Sequence, residues 1–329
     1  DPIAIGADEP TQNLEKAVEL LLLREGSVTA QITTFAGNGI STVNSQLFDQ
    51  AIQAGDKISL ELGTINGANG VSDFNFYRNI PGVEILSGGI VNVGIEEATG
   101  LNTNSNDLVA ITTNAPLNAS AAATLTTKTA VSVNFVEGIK DTTINLYSDG
   151  EVNNNLKTII EEQNNVKLII DDVVTSEKIE AVNAILAARF ENNKIGSLTF
   201  DSFGTADQLG GLNTTNVDDI QFLVEGTATV DQINQLGLRT GLANILLPSG
   251  FKDNLSAFVN EFDGIEIGAS LAVLRASNSI DPIEKSYKIE ISNALTGADV
   301  DGLNVLAGFP IHTGLLEATI AGELGDFGA

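Results

Sequence analysis

Ile220-Gln-Phe-Leu-Val224 is followed by Glu225-Gly-Thr227, by Thr229-Val-Asp-Gln232 opening a stretch that runs to Leu236, and by Ala243-Asn-Ile-Leu-Leu247. The first run alternates and then turns continuously apolar, as a strand buried on both faces does. Glu-Gly-Thr is turn chemistry. Thr229 with Gln232 three residues later fits a capping box, in which the hydroxyl and the amide satisfy each other's backbone N–H groups. The unit is therefore strand, turn, short helix and strand again. None of these pieces is long enough to bury an apolar face by itself.

The same rhythm extends outward in both directions. Strand-like runs start at Val28, Lys57, Val83, Leu108, Val131, Thr143, Val166, Ile195, Ile220, Ala243, Ile265 and Tyr287, mostly about 22–30 residues apart, which is a repeat-protein spacing. Helical stretches fall between them. Leu14, Ala17, Val18, Leu21 and Leu22 form one i, i+3, i+4 stripe, and Ile179, Val182, Leu186 and Phe190 form another behind Ser176. Shorter helices are expected over 42–54, 156–162 and 253–262. Stacking such units aligns the strands into a parallel sheet and the helices into a second layer, with stability summed over neighbouring repeats.

The expected fold is thus an α/β, right-handed solenoid of strand–helix repeats with a parallel sheet on one face. A doubly wound α/β domain shares the alternation, but about a dozen strands is many for one open sheet. The expected organisation is 1–130 as N-terminal repeats, 131–150 as an irregular insertion or hairpin, 151–293 as regular repeats, and 294–329 as a C-terminal cap or assembly segment.

Composition agrees with thin, repeated layers. Of 329 residues 43% are hydrophobic, yet Trp, Met and Cys are absent and aromatics reach only 5%. The formal charge is −27, from 43 acids against 16 bases. Phosphate backbones repel such a chain, so nucleic-acid binding is not expected, and no apolar run nears the ~20 residues that span a bilayer. Lack of Cys removes disulfides and thiolate chemistry together. The chain opens at Asp1-Pro2 without Met, and we expect an upstream segment to have been removed, by signal cleavage or release from a precursor.

The stretch Val224-Glu-Gly-Thr-Ala-Thr-Val-Asp-Gln-Ile-Asn-Gln-Leu236, with Leu242-Ala-Asn-Ile-Leu-Leu247 after it, resembles the Gly/Thr/Ala-rich repeats of large bacterial secreted proteins of the surface-layer-like or haemolysin type. Ser176 to Leu209 is similar but looser. The resemblance implies an extracellular or cell-surface setting. The calcium nonapeptide Gly-Gly-x-Gly-x-Asp of haemolysin-type repeats is absent here, so calcium binding by that route is not implied.

Catalytic chemistry is sparse. His312 is the single histidine, no Ser sits in a Gly-x-Ser-x-Gly elbow, and acid pairs such as Asp171-Asp172 lack the aromatic platforms of sugar-cleaving sites. No enzymatic activity is expected, and a secreted hydrolase is the least favoured reading. Calcium is the best candidate ligand. Asp299 and Asp301 begin like a calcium loop but lack its closing acid. Asn102, Asn104 and Asp107 form an oxygen-rich loop, and Asp149 and Asp172 lie in turns that stacked repeats could bring together. Ile3, Ile5, Leu315, Leu316 and Ile320 are apolar residues at the chain ends, suited to self-association. Phe74, Phe76, Tyr77 and Arg78 form the candidate patch for recognising a surface glycan or a protein. Sequons stand at Asn118, Asn213 and Asn254. The expected function is an extracellular structural protein that forms a surface layer, filament or matrix. An adhesin or binding module is the alternative.

Overall fold

The structure is a computed structural model, described over residues 18–23, 25–33, 42–192, 195–240, 245–260, 266–267, 288–308 and 316–320. It is a mixed α/β fold with parallel sheets. Two compact units are resolved, one holding most of the chain up to Ile169 and the other most of the chain from Ile170 onward.

In the first unit the strands Thr29–Thr33, Lys57–Asn66, Val83–Val93 and Val109–Thr113 lie side by side in sequence order, each parallel to the next. Parallel bridges at Thr112–Asn134 and Leu117–Ile139 continue the pairing, and Ile139–Asp141 neighbours Val166–Ile170. Because pairing is parallel, equivalent inward positions stack. Leu60 lies opposite Ile85 and Ile90 opposite Ile111, all at most 1% exposed. Each such aliphatic contributes about 1.5–3 kcal/mol by leaving water. Helices Gly67–Arg78, Ala119–Thr126 and Asn154–Glu162 supply the facing layer through Phe74, Leu125, Leu156 and Ile159, all fully buried.

The second unit repeats the plan. Asp219–Val224 pairs in parallel with both Ile195–Gly204 and Ile245–Leu246. Phe251–Asp253, Ile289–Leu295 and Leu316–Ile320 form a further parallel sheet in sequence order. Val230–Gly237 is the expected helix, and Thr229 and Gln232 form the expected capping box.

Several local expectations change. Thr143 to Tyr147 alternates like a strand, but Thr143–Leu146 is a short helix. Asp141 decides this: its Oδ1 accepts from Thr142 N at 2.9 Å and from Asn145 Nδ2 at 2.7 Å, which closes the chain into a turn. Leu22 of the first helical stripe is 58% exposed, whereas Val18 and Leu21 are buried. Glu266–Ile267 is a strand, but antiparallel to Val259–Asn260. Gly67–Arg78, Ala119–Thr126 and Val300–Gly308 are helices that carry no clear apolar period.

The two units also repeat each other with a period of about 111 residues, a longer repeat laid over the strand–helix rhythm. Four hydrogen-bond devices show it. Asn75 Nδ2 donates to Gly100 O at 2.6 Å while its Oδ1 accepts from Asn102 N, and Asn183 does the same to Gly211 and Asn213. Asp107 accepts from Asn104 N, and Asp218 accepts from Thr215 N, three residues back in each case. Buried Thr129 donates to Val109 O at 2.6 Å, as Thr240 does to Ile220 O at 2.8 Å. Asp141 accepts from Ala119 N at 2.9 Å and Asp253 from Val230 N at 3.1 Å, each covering the first N–H of the preceding helix. The sequence carries the same signatures, Gly100-Leu-Asn-Thr103 with Gly211-Leu-Asn-Thr214 and Gly138-Ile-Lys-Asp141 with Gly250-Phe-Lys-Asp253.

Candidate functional site

Within the loop Asn102–Asp107 the side-chain oxygens of Asn104 and Asp107 accept from the loop's own backbone. Asp107 is 3% exposed. Its Oδ2 accepts from Asn104 N at 2.8 Å and lies 3.3 Å from Arg78 Nε. Asn104 Oδ1 accepts from Asn106 N, and Asn102 Nδ2 donates to Asn79 Oδ1. Asp56, also 3% exposed, makes the same turn earlier in the chain, accepting from Gln53 N at 2.7 Å and reaching back to Val28 N at 2.9 Å. These aspartates close the turn before a strand and tie that turn to its neighbour, which explains why turn formers and acids cluster there.

The other proposed oxygen ligands are dispersed. Asp172 pairs with Lys178 at 2.6 Å. Asp149 occupies the left-handed position of a turn, with φ 55°. Asp299 accepts from Thr296 N and Oγ1 as the closing half of a capping box, and Asp301 is exposed in the first turn of Val300–Gly308. Among the described residues no group of three or more His, Asp or Glu side chains stands close enough to hold a metal ion.

The aromatic cluster on Gly67–Arg78 divides by face. Phe74 and Tyr77 are buried in the core, where Tyr77 meets Phe48 edge to face at 5.7 Å and Phe76 at 5.3 Å. Phe76 and Arg78 remain half-buried. Tyr77 Oη and Asp73 Oδ2 are both shut from water without a hydrogen-bond partner. Burial, reinforced by the Asp73 carboxylate, pushes the Tyr77 phenol well above its ordinary value, and burial raises Asp73 as well.

Two results are expected from this environment. Tyr77→Phe removes a hydroxyl that has no partner, so stability at pH 7 stays level or rises by up to about 1 kcal/mol. Above pH ~10 the unfolded phenol ionises while the folded one stays neutral, so Tyr77 lowers stability as pH rises, by up to ~1.4 kcal/mol per unit. Urea unfolding of both proteins at pH 7 and pH 11 reads this. A pH dependence unchanged in Tyr77→Phe would refute the assignment.

Leu316 and Ile320 bound the last described strand, whose backbone pairs with Ile289–Leu295. Ile3, Ile5 and Leu315 lie outside the described residues, as does His312. No described helix is long and apolar enough to cross a membrane.

One cleft escaped the sequence reading. It lies in the first unit and measures about 380 Å³. It opens where the end of helix Ala119–Thr126 and the following loop face helix Asn154–Glu162, against which Ala119–Thr126 packs. Ser105, Thr127, Thr158 and Glu162 come from three separate stretches to line it. Hydroxyl-bearing residues are common in this chain, so only the packing of the two helices singles these out.

No protein-family model matches the chain, and no curated protein or solved structure gives a significant match.

Proposed function

We propose that the chain is an extracellular structural protein, a right-handed α/β solenoid whose copies join end to end into a filament or surface layer. The carrying observation is the strand order. In the main sheets the parallel strands run in chain order without reversal, and the outermost strands keep one unpaired edge among the described residues. Thr29–Thr33 borders only Lys57–Asn66, and Leu316–Ile320 borders only Ile289–Leu295. An open parallel edge is a template for another strand, and a head-to-tail contact that does not close grows a filament.

Just ahead of the first edge strand, Leu20, Leu22 and Leu23 are 44%, 58% and 82% exposed. Terminal repeats of soluble arrays carry a polar outer face; these leucines suit a covered end. The extracellular setting rests on the resemblance of Val224–Leu236 to secreted bacterial repeats. No catalytic role is assigned, in keeping with a chain that has one histidine and no cysteine. The −27 charge opposes self-contact, so salt or calcium, by screening or bridging carboxylates, favours assembly.

Sedimentation velocity and negative-stain electron microscopy test the reading, across protein concentration, salt, and calcium against chelator. Species that lengthen with concentration and salt are expected. Thr29→Pro should block growth without unfolding the protein. Lys57 N donates to Val28 O, so alternation along the ladder turns the Thr29 N–H toward the open edge. A monodisperse monomer under every condition would overturn the proposal.

A further inference from the structure

We propose that the cleft beside helices Ala119–Thr126 and Asn154–Glu162 binds a neutral saccharide. Its volume of about 380 Å³ falls at the small-ligand end of binding pockets, roughly 300–1,000 Å³. Its lining is polar in a particular way. Thr126, Thr127 and Thr129 donate their hydroxyl protons to Ala123 O, Thr124 O and Val109 O at 2.8, 2.8 and 2.6 Å. Thr126 and Thr129 are buried and the Thr129 oxygen already accepts from Val131 N at 3.1 Å, so of the three it is the exposed Thr127 hydroxyl that is left to accept at the cleft. The hydroxyls of Ser105, Ser132 and Thr158 have no hydrogen-bond partner among the described residues and can turn to donate or accept.

Gln163 is the more telling residue. It is 4% exposed and lines the cleft, yet its side-chain amide has no partner among the described residues. The amide is not shut from water, so its N–H donors and its carbonyl oxygen reach the open space of the cleft, where a ligand can meet them. Glu162, one turn beyond Thr158 on the same helix face, adds a carboxylate acceptor at the rim.

The cleft thus offers both donors and acceptors, and its lining residues include no cation and no aromatic ring. A sugar hydroxyl, which donates and accepts at once, matches such a wall. Glu162 repels an acidic sugar, and one carboxylate is too few for a divalent cation, which takes six or more oxygens.

The second unit provides an internal comparison. Thr129 has its counterpart in Thr240, and both make the same bond to a strand carbonyl, so that hydroxyl belongs to the fold. Thr126 and Thr127 have Gly237 and Leu238 as counterparts. The helix there ends equally well, with Leu238 as its C-cap. The hydroxyls of Thr126 and Thr127 are therefore not needed to end the helix; both residues line the cleft, with Thr127 exposed there.

The test uses the full chain in saturation-transfer difference NMR and calorimetry, with D-glucose, D-galactose and N-acetyl-D-glucosamine as probes and D-glucuronate as the anionic control. Without an aromatic platform the expected dissociation constant is about millimolar. D-Glucuronate should bind roughly tenfold more weakly. Thr127→Leu installs the residue of the second unit and fills the cleft; Thr158→Val removes a hydroxyl at constant volume. Each should weaken binding about tenfold, with circular dichroism and melting temperature retained. No transfer from any neutral sugar at tens of millimolar overturns the proposal, and so does binding that both variants leave unchanged or that glucuronate equals. This readout is independent of self-assembly, so either proposal can fail without the other.

Discussion

Asp218→Ala should lower the unfolding free energy by about 3–5 kcal/mol, read from urea denaturation followed by circular dichroism. Asp218 is 4% exposed. Its Oδ1 accepts from Leu198 N, a buried bond of 2.9 Å to the neighbouring strand, and its Oδ2 accepts from Thr215 N at 2.9 Å. Alanine strands both N–H groups, and each buried donor without a partner costs about 1–3 kcal/mol. Asp218→Asn should fall between, because an amide offers only one acceptor where two donors converge. Asp219→Ala is the control. Asp219 is exposed, and the change should cost under about 0.5 kcal/mol. If Asp218→Ala cost as little as its neighbour, the stapling role would be wrong. In the first unit Asp107→Ala should be as damaging, since it also leaves Arg78 without its carboxylate.

Gly250→Ala is the second large effect, at least about 3 kcal/mol or loss of soluble protein. Gly250 sits at φ +73°, and a Cβ there would run into the carbonyl of Lys288, just ahead of the neighbouring strand and held by Phe251 N at 2.7 Å. Its counterpart Gly138, at φ +82°, would place a Cβ 2.5 Å from Lys167 O. In both cases the obstacle is backbone held in a parallel sheet, which cannot swing aside as a side chain can. Gly226 separates clash from strain. Its φ is +76° with nothing within 4 Å of the added carbon, so Gly226→Ala should cost only the left-handed penalty of about 1–2 kcal/mol. Equal losses at Gly226 and Gly250 would show that conformation alone, and not the approach of the next strand, sets the demand for glycine.

Local sequence carried the strand–helix alternation because its causes are local. Val224 leads through Gly226 to the capping pair Thr229 and Gln232 within a few residues, and period and cap chemistry can be read directly. The runs at Lys57, Val83, Val166 and Ile220 became strands for the same reason. Where the deciding contact was a side chain at the edge of the window, as with Asp141 ahead of Thr143–Leu146, alternation misled.

The repeat of about 111 residues was written in two short signatures. Tetrads of Gly, Asn, Thr and Lys recur easily in such a chain, and only identical hydrogen bonds at Asn75 and Asn183 give them meaning. The candidate oxygen ligands show the same limit. Nothing near Asp107 in the chain says whether its carboxylate faces solvent, an ion or a backbone N–H. That choice is made by Asn104 N and by Arg78, which lies 29 positions away. The saccharide cleft is more remote still, since Ser105, Thr127 and Thr158 meet only when two helices pack.

By itself, then, the sequence determined the alternation of strands and helices, their caps and the acidic, cysteine-free chemistry, all of which depend on neighbours within one or two turns. Tertiary structure decided which aspartates became staples, which aromatics became core and which hydroxyls came to line a cleft. The physical reason is the same in each case. Those outcomes depend on which backbone or side chain a neighbouring strand, turn or helix, 20–30 residues away, places opposite the group, and parallel pairing sets that register only once the chain is folded.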